Sequence, residues 1–494
     1  MTTSLANILN AAAYRHYVDA FNAADVEDVV NLIPNAGAWD WMAQNVPLFD
    51  CPGETIQRIY YYRWWTFRKH IKETPAGIIV TEFIEPVRHA GTYNSISCAL
   101  GHHLTEGRWI RDRRYLDEYT RFWFRGGENG GPEYRFHRYS QWTAAAMLDR
   151  ARVTGDSSLL LDLLPDLIAD YAKWEEEKRR PDELFWQFDV WDGMEESISG
   201  SRKHKNARPT INSYMYANAL AIAEIATIAE NSDVAETFRT KAAELKSLTQ
   251  EALWDERAKF FKAQTEEGPL SDAREAIGFV PWCFNLPDPG REDAWAQLID
   301  PQGFWAPAGI TTAERRHPRF RSHGVGKCEW DGAVWPFATS QTLVALANVL
   351  RRCDQPHVTK QHYFDAIHTY ASAHHKNGQP YIGEYHDEVT GEWLKGDNPR
   401  SRYYNHSTFC DLVIAGLAGL VPRGDNTIEI HPLLPDGAWD WFCVDRIAYH
   451  GRSLTIAWDR TGARYGRGAG LSLAVDGERI AHAEALRPLS GEMR

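Results

Sequence analysis

The chain has 494 residues, 44% of them hydrophobic and 24% charged, with 54 Lys and Arg against 67 Asp and Glu and a formal net charge of −13. That balance is globular and excludes global disorder, and the acidic surplus argues against a nucleic-acid partner, which needs basic patches. No apolar run is long enough to span a bilayer. The start, Met1-Thr2-Thr3-Ser4-Leu5, lacks a basic segment followed by an apolar one. The seven cysteines are isolated, with no CxxC pair, and read as reduced thiols. The expectation is a cytoplasmic protein with no membrane partner.

In chain order, the first hundred residues mix helix with aromatic loops. Tyr60-Tyr61-Tyr62-Arg63-Trp64-Trp65 and Glu106-Gly107-Arg108-Trp109-Ile110-Arg111-Asp112 look like sugar-binding loops, with core packing as the competing reading. They nominate Arg63, Trp64 and Trp109. Three stretches then share one grammar. Helices are expected over 134–155 and 157–179, broken at Thr154-Gly155-Asp156; over 212–230 and 234–254, broken at Asn231-Ser232-Asp233; and over 334–353 and 359–376. Each break supplies a short polar N-cap, and Asp233 with Glu236 has capping-box spacing. The first helix of the middle pair is apolar nearly all round (Met215, Ala219, Leu220, Ile222, Ala223, Ile225, Ala226, Ile228), the mark of burial on most sides. Its partner is apolar on one face only, at Val234, Phe238, Leu245, Leu248 and Ala252. Alternating buried and amphipathic helices describe an α/α toroid with an inner and an outer ring. A last helix is expected over 405–420. Beyond the breaker cluster Val421-Pro422-Arg423-Gly424-Asp425, short β-type runs over 427–431, 445–450, 453–459 and 471–475 predict a small antiparallel β-domain at 424–494 after a helical domain at 1–423.

The chemistry concentrates in three aromatic, carboxylate-rich loops, each just before a helix of the buried kind. They are Phe188-Asp189-Val190-Trp191-Asp192-Gly193-Met194-Glu195-Glu196-Ser197, then Cys328-Glu329-Trp330-Asp331-Gly332-Ala333-Val334-Trp335, then Gly383-Glu384-Tyr385-His386-Asp387-Glu388-Val389-Thr390-Gly391 continuing to Tyr403-Tyr404-Asn405-His406-Ser407. In a toroid the inner helices run the same way, so these loops gather at one end of the cavity. Twenty tryptophans and twenty-one tyrosines supply platforms for the apolar faces of sugars, and carboxylates their polar edges. Glycoside hydrolysis needs one protonated and one ionised carboxyl. Glu195, near Trp191 and Met194, has the apolar setting of an acid; Glu384, before Tyr385 and His386, has that of a base. No metal or cofactor is expected: His386-Asp387-Glu388 and His102-His103 lack the i, i+4 spacing of a zincin, and the sequence holds no GxxxxGK[ST], GxGxxG or GxSxG motif.

At these loops, over roughly 180–420, the sequence resembles the inverting α-glycosidases that group processing α-glucosidase I, mannosylglycerate hydrolase and, more distantly, trehalase (glycoside hydrolase family 63-like). The resemblance implies an (α/α)6 barrel. It places Glu195 where the family carries its acid Asp in an E-S-G-(M/W)-D-x-S motif, and Glu384 at the base Glu of an E-x-Y segment. Glu329-Trp330-Asp331-Gly332-Ala333-Val334-Trp335-Pro336 is similar to the family's Y-W-R-G-P-V-W-P. Two departures stand out: Glu replaces the acid Asp, leaving Asp192 as a second candidate, and Asp331 replaces Arg. The implied activity is inverting hydrolysis of a terminal, α-linked gluco- or manno-type sugar, with a phosphorylase, a sugar epimerase or isomerase, and a non-catalytic sugar-binding protein as rivals. Arg63, Trp64, Trp109, Trp191, Tyr214, Trp330, Asp331, Trp335, Tyr385 and His406 are the candidate substrate contacts.

Overall fold

The computed structural model describes residues 8–323 and 328–493, so residues 1–5, discussed above, lie outside the described residues. Helices α1 (Arg15–Ala24) and α2 (Asn35–Asn45) precede an alternation of outer and inner helices. The outer ring is α3 (Glu54–Lys69), α5 (Arg114–Arg125), α7 (Ser158–Lys178), α9 (Ser232–Leu253), the short α11 (Ala296–Ile299) and α13 (Lys360–Ala373). The inner ring is α4 (Leu100–Gly107), α6 (Thr143–Thr154), α8 (Pro209–Ile228), the short α10 (Val280–Cys283), α12 (Pro336–Arg352) and a π-helical α14 (Leu412–Leu417). Neighbouring inner helices pack in that order, α4 on α6, α6 on α8, α8 on α10, α10 on α12 and α12 on α14. This is an (α/α)6 barrel.

Patterning explains the two rings. Along α8, only Leu220, Glu224, Thr227 and Ile228 escape burial, because neighbours cover the rest of its circumference. Along α9, Ala235, Phe238, Ala242, Leu245, Thr249 and Leu253 are buried at spacings of three and four, one face against the ring; each large apolar side chain so placed contributes about 1.5–3 kcal/mol. The α9 N-cap is Asn231, whose side chain accepts from the Val234 N–H. The expected Asp233–Glu236 capping box does not form, and Glu236 instead pairs with Arg239 at 3.4 Å.

The ring closes through side chains more than 300 residues apart. Glu106, at the end of α4, accepts the backbone N–H groups of Phe409, Cys410 and Asp411 at 3.0, 2.9 and 2.9 Å. These are donors that a helix start leaves without intrahelical acceptors. Asp411 in turn accepts from Arg108 Nε at 2.9 Å and Trp109 Nε1 at 2.8 Å. The helix expected over 405–420 therefore begins later. Its turns are π-helical, and its carbonyls also accept from outside the helix: Tyr363 Oη donates to the Leu412 carbonyl at 3.0 Å and Arg351 donates to the Ala415 carbonyl. The helix expected over 134–155 likewise starts only at Thr143; residues 134–138 form turns, anchored where Glu133 accepts the Arg135 N–H at 2.7 Å.

The C-terminal region carries an antiparallel sheet of Trp441–Tyr449, Arg452–Asp459, Gly470–Val475 and Glu478–Ala483. Its outer edge is Leu48–Asp50, from the helical part of the chain, paired with Trp441–Tyr449. A bulge between Val444 and Ile447 puts Arg446 at φ 61°, and Asp445 there accepts the Leu9 N–H at 2.9 Å. Among the described residues no helix is long and apolar enough to cross a membrane.

Candidate active site

The segments before α4, α6, α8, α12 and α14 meet at one end of the barrel around a cavity of about 220 Å³. Three carboxyls line it: Glu82 before α4, Glu195 before α8 and Glu384 before α14. Trp330, Trp335, Phe337, Tyr139, Tyr404 and His406 supply much of the remaining wall. Trp330 stacks on Trp335 at 4.4 Å and Trp335 on Tyr385 at 4.5 Å, a three-ring column that fixes the aromatic face.

Each carboxyl is held differently. Glu384 is 2% exposed and accepts from Lys395 Nζ at 3.0 Å, Arg400 Nη2 at 3.0 Å and Ser401 Oγ at 2.9 Å, with the Cys328 thiol at 3.8 Å. Burial alone would raise its pKa, but the Lys395 and Arg400 charges and these hydrogen bonds hold it below the ordinary carboxylate value. Among the described residues no cation forms an ion pair with Glu195. Burial pushes it up to about 7, and the Glu384 charge adds to the rise. Its loop turns through left-handed backbone at Gly193 and Glu196, at φ 72° and 63°. Glu275 accepts the Ile198 and Ser199 N–H groups at 2.7 and 3.1 Å, and the Glu195 carbonyl accepts the Trp330 N–H at 3.3 Å.

Glu82, overlooked in the sequence, is also pushed up to about 7 by burial, against lowering by hydrogen bonds from Tyr404 and Cys98. It follows the β-hairpin Ile71–Thr74/Gly77–Val80, and the loop beyond is pinned by Asn94, whose side chain bonds Val87 N and the Phe83 and Glu85 carbonyls. The available signal was positional, a Glu beside Phe83 shortly before a buried helix.

Several expected contacts lie elsewhere. Asp192 does not line the cavity; its buried carboxylate takes Arg208 Nε at 2.7 Å and the Thr210 hydroxyl, tying the loop to α8. Trp64 is fully buried in α3 between Tyr60 and Phe67, and Trp109 is spent on Asp411. Arg63 stands behind the cavity, donating to the Ser407 carbonyl at 2.7 Å and to Tyr370 at 3.2 Å, and so positions the His406 segment. Tyr214 is buried between inner helices, accepting from Gln341 at 2.6 Å. Asp331 pairs with Arg321 at 2.6 Å, and Tyr385 backs Trp335 while donating to Glu329. Trp191 is half-buried under Arg138 and Lys178 at 5.1 and 4.8 Å. Of the nominated residues, Glu195, Glu384, Trp330, Trp335 and His406 reach the cavity.

The mannosylglycerate hydrolase MGH1-like glycoside hydrolase domain matches residues 92–407, well over half of the chain. The chain belongs to this glycoside hydrolase family. Residues 423–482 match the C-terminal domain of glycosyl hydrolase family 65, the region of the antiparallel sheet. A solved structure named "Sialidase" is 50% identical with a TM-score of 0.96, covering 98% of this chain, and this chain spans 45% of the length of that one. The family 63 mannosylglycerate hydrolase of Thermus thermophilus in complex with glucose is 13% identical (TM-score 0.51, 72% of this chain and 98% of that one). The family 78 rhamnosidase of a Bacillus species is also 13% identical (TM-score 0.61, 87% and 41%). The last two likenesses show the shared fold.

The buried carboxyls make stability pH-dependent. Glu82 and Glu195 titrate near 7 when folded, above their unfolded value near 4.5, so the folded state holds more protons between those limits and stability falls as pH rises through them. Below pH 4.5 the stabilisation from ionised Glu384 is lost in turn, since its folded pKa is depressed. The thermal midpoint is expected to drop by roughly 2–4 °C from pH 5.5 to pH 8. Differential scanning fluorimetry of Glu82→Gln/Glu195→Gln should show that slope flattened; an unchanged slope would show that other groups cause it.

Proposed function

We propose that the chain hydrolyses the bond to a terminal α-linked gluco- or manno-type sugar with inversion, Glu195 acting as general acid and Glu384 as general base. The observation that carries this reading is the opposite electrostatic bias on two carboxyls facing one cavity. Burial favours the protonated form of Glu195, able to give its proton to the leaving oxygen. Lys395 and Arg400 keep Glu384 ionised, able to take one from water. Of the four side-chain donors to Glu384 among the described residues, the Cys328 thiol is the weakest and lines the cavity. Membership of a glycoside hydrolase family supports the reaction class, and the glucose complex of the Thermus hydrolase supports a hexose of this type.

Proton NMR of the anomeric signals during hydrolysis of α- and β-linked gluco-, manno- and rhamnosides, with a sialoside included because of the name of the 50%-identical structure, tests the proposal. Initial release of the β-anomer from an α-glucoside or α-mannoside is expected, with a carboxyl separation of roughly 6.5–9.5 Å in a liganded structure. Initial release of the α-anomer would establish retention, and turnover of the sialoside alone would overturn the sugar assignment.

A further inference from the structure

We propose that Arg138, Lys178 and Lys205, strung along Trp191 and Trp186 beside the cavity, form an anion site for a uronate or sulfate-ester sugar unit joined to the terminal sugar on its leaving-group side. The proposal rests on the glycosidase reading only for the side of the bond that this unit occupies. The three cations are chained through two indole rings. The Arg138 guanidinium lies 5.1 Å from the Trp191 ring, and Lys178 Nζ lies 4.8 Å from the same ring. Lys178 Nζ is also 4.2 Å from the Trp186 ring, and Lys205 Nζ is 5.1 Å from it. Phe188 packs edge-on against both indoles, at 4.9 and 5.2 Å, so rings and cations form one strip.

Among the described residues none of the three forms an ion pair, and the residues outside that range contain no Asp or Glu. Lys178 is 5% exposed, and its Nζ donates to Gln187 Oε1 at 3.3 Å; a lysine so buried is normally paired with a carboxylate. The acids nearby are engaged elsewhere. Asp189 and Glu196 take Arg202 at 3.7 and 3.2 Å, and Glu177 takes Lys173 at 3.1 Å. Glu266 accepts the Lys205 backbone N–H at 3.0 Å and lies 3.5 Å from His204. Burial, with the Lys205 charge adding to it, brings Lys178 down to about 8 against the pull of Glu177, so it still carries its charge at neutral pH. In a chain of net charge −13, cations that repel one another and lack an acid of their own draw an anion from outside. Arg138 and Lys205 are exposed, and a guanidinium grips a carboxylate or sulfate through two parallel N–H groups.

The strip adjoins the cavity without lining it. Val190 and Gly193, on either side of Trp191 and Asp192 in the chain, line the cavity, as does Tyr139 beside Arg138. The Ser140 N–H donates to the Trp191 carbonyl at 2.9 Å, knitting the two segments together. Trp191 shares its loop with Glu195, the residue assigned to protonate the leaving oxygen, so the departing unit lies against this loop. The cavity receives the terminal sugar, and the unit beyond the bond therefore lies outside it, on the side where the cations are.

Isothermal titration calorimetry of the full chain, carrying Glu195→Gln to suppress turnover, compares α-glucosyl- and α-mannosyl-(1→4)-glucuronate with the same sugars linked to glucose and to glucose 6-sulfate. At least one anionic disaccharide is expected to bind about tenfold more tightly than its neutral counterpart (about 1.4 kcal/mol) in low salt. The margin should shrink in about 0.3 M salt, where exposed charges are screened. Whichever anion binds more tightly identifies the source, carboxylate or sulfate ester, and either supports the site. Arg138→Gln and Lys205→Gln should each cut the margin about threefold and together bring it near one. Lys178→Met, which keeps the buried stem and removes the charge, should also reduce it. A merely structural role would lower both affinities together and leave their ratio unchanged. Equal affinity for anionic and neutral disaccharides, a margin untouched by the double variant, or no binding of any disaccharide would overturn the proposal. A margin that depends on Arg138 and Lys205, in a chain whose wild type cleaves none of these disaccharides, would overturn the hydrolytic mechanism and leave the anion site standing.

Discussion

Glu195→Gln is expected to lower kcat by about 10³-fold on a glycoside with an alkoxide leaving group, and far less on a 2,4-dinitrophenyl glycoside. General acid catalysis is worth about 10²–10⁴-fold where the departing oxygen needs a proton, and a nitrophenolate leaves without one. Glu384→Gln should lose activity on both substrates alike, because water must be activated whatever leaves. In the wild type, kcat/KM should fall above about pH 7, as Glu195 gives up its proton, and fall again below the ordinary carboxylate range, as Glu384 gains one. The upper limb belonging to Glu195 should vanish in Glu195→Gln. Equal losses on the two leaving groups would remove Glu195 from the acid role and make Glu82, the other carboxyl that burial lifts to about 7, the next residue to substitute.

Asp192→Ala is expected to cost about 3–5 kcal/mol of stability, because it strands the buried Arg208 guanidinium without its carboxylate. The pair is wholly shielded from water, its side chains 0% exposed, so solvent cannot stand in for the lost partner. Arg208→Met on top of Asp192→Ala should recover much of the loss, since an apolar side chain leaves no orphaned charge. Chemical denaturation measures both. Whatever Asp192→Ala protein remains folded at low temperature should turn over within about tenfold of wild type, which separates a scaffold from an acid. A 10³-fold loss in fully folded protein would make Asp192 an acid candidate again.

The rings were legible because burial writes itself into periodicity: α8 is apolar nearly all round and α9 on one face, as an inner and an outer helix must be. The convergence of Glu195, Trp330, Trp335, Glu384 and His406 on one cavity followed from their shared position before inner helices. The failures have a common cause as well. Tyr60 to Trp65 read as a sugar-binding loop, but α1 and α13 both pack on α3, so its aromatic residues face protein on nearly every side, and rings packed in a core look the same in sequence as rings offered to a sugar. Trp109 looked available because its acceptor, Asp411, is 302 residues away. Asp192 and Glu195 share one motif and could be told apart only through Arg208, which local sequence does not place. Glu82 sits alone in a stretch with no repeated grammar, and the Lys395, Arg400 and Ser401 cradle of Glu384 resembles a solvated loop until the chain folds back on itself.

The bond from Glu106 to the Phe409 N–H spans 303 residues, and this sets a timetable for biosynthesis. At about 5–20 residues per second, roughly 15–60 s separate the emergence of acceptor and donor from the ribosome. Throughout that interval the carboxylate of Glu106 has no native donors to receive, Trp109 lacks its hydrogen-bond acceptor, and the partly built ring presents apolar inner helices along its open seam. Nascent chains of this barrel should therefore be substrates for chaperones that shield apolar surface, and synonymous changes that slow translation between α4 and α14 should lower soluble yield without altering the finished enzyme.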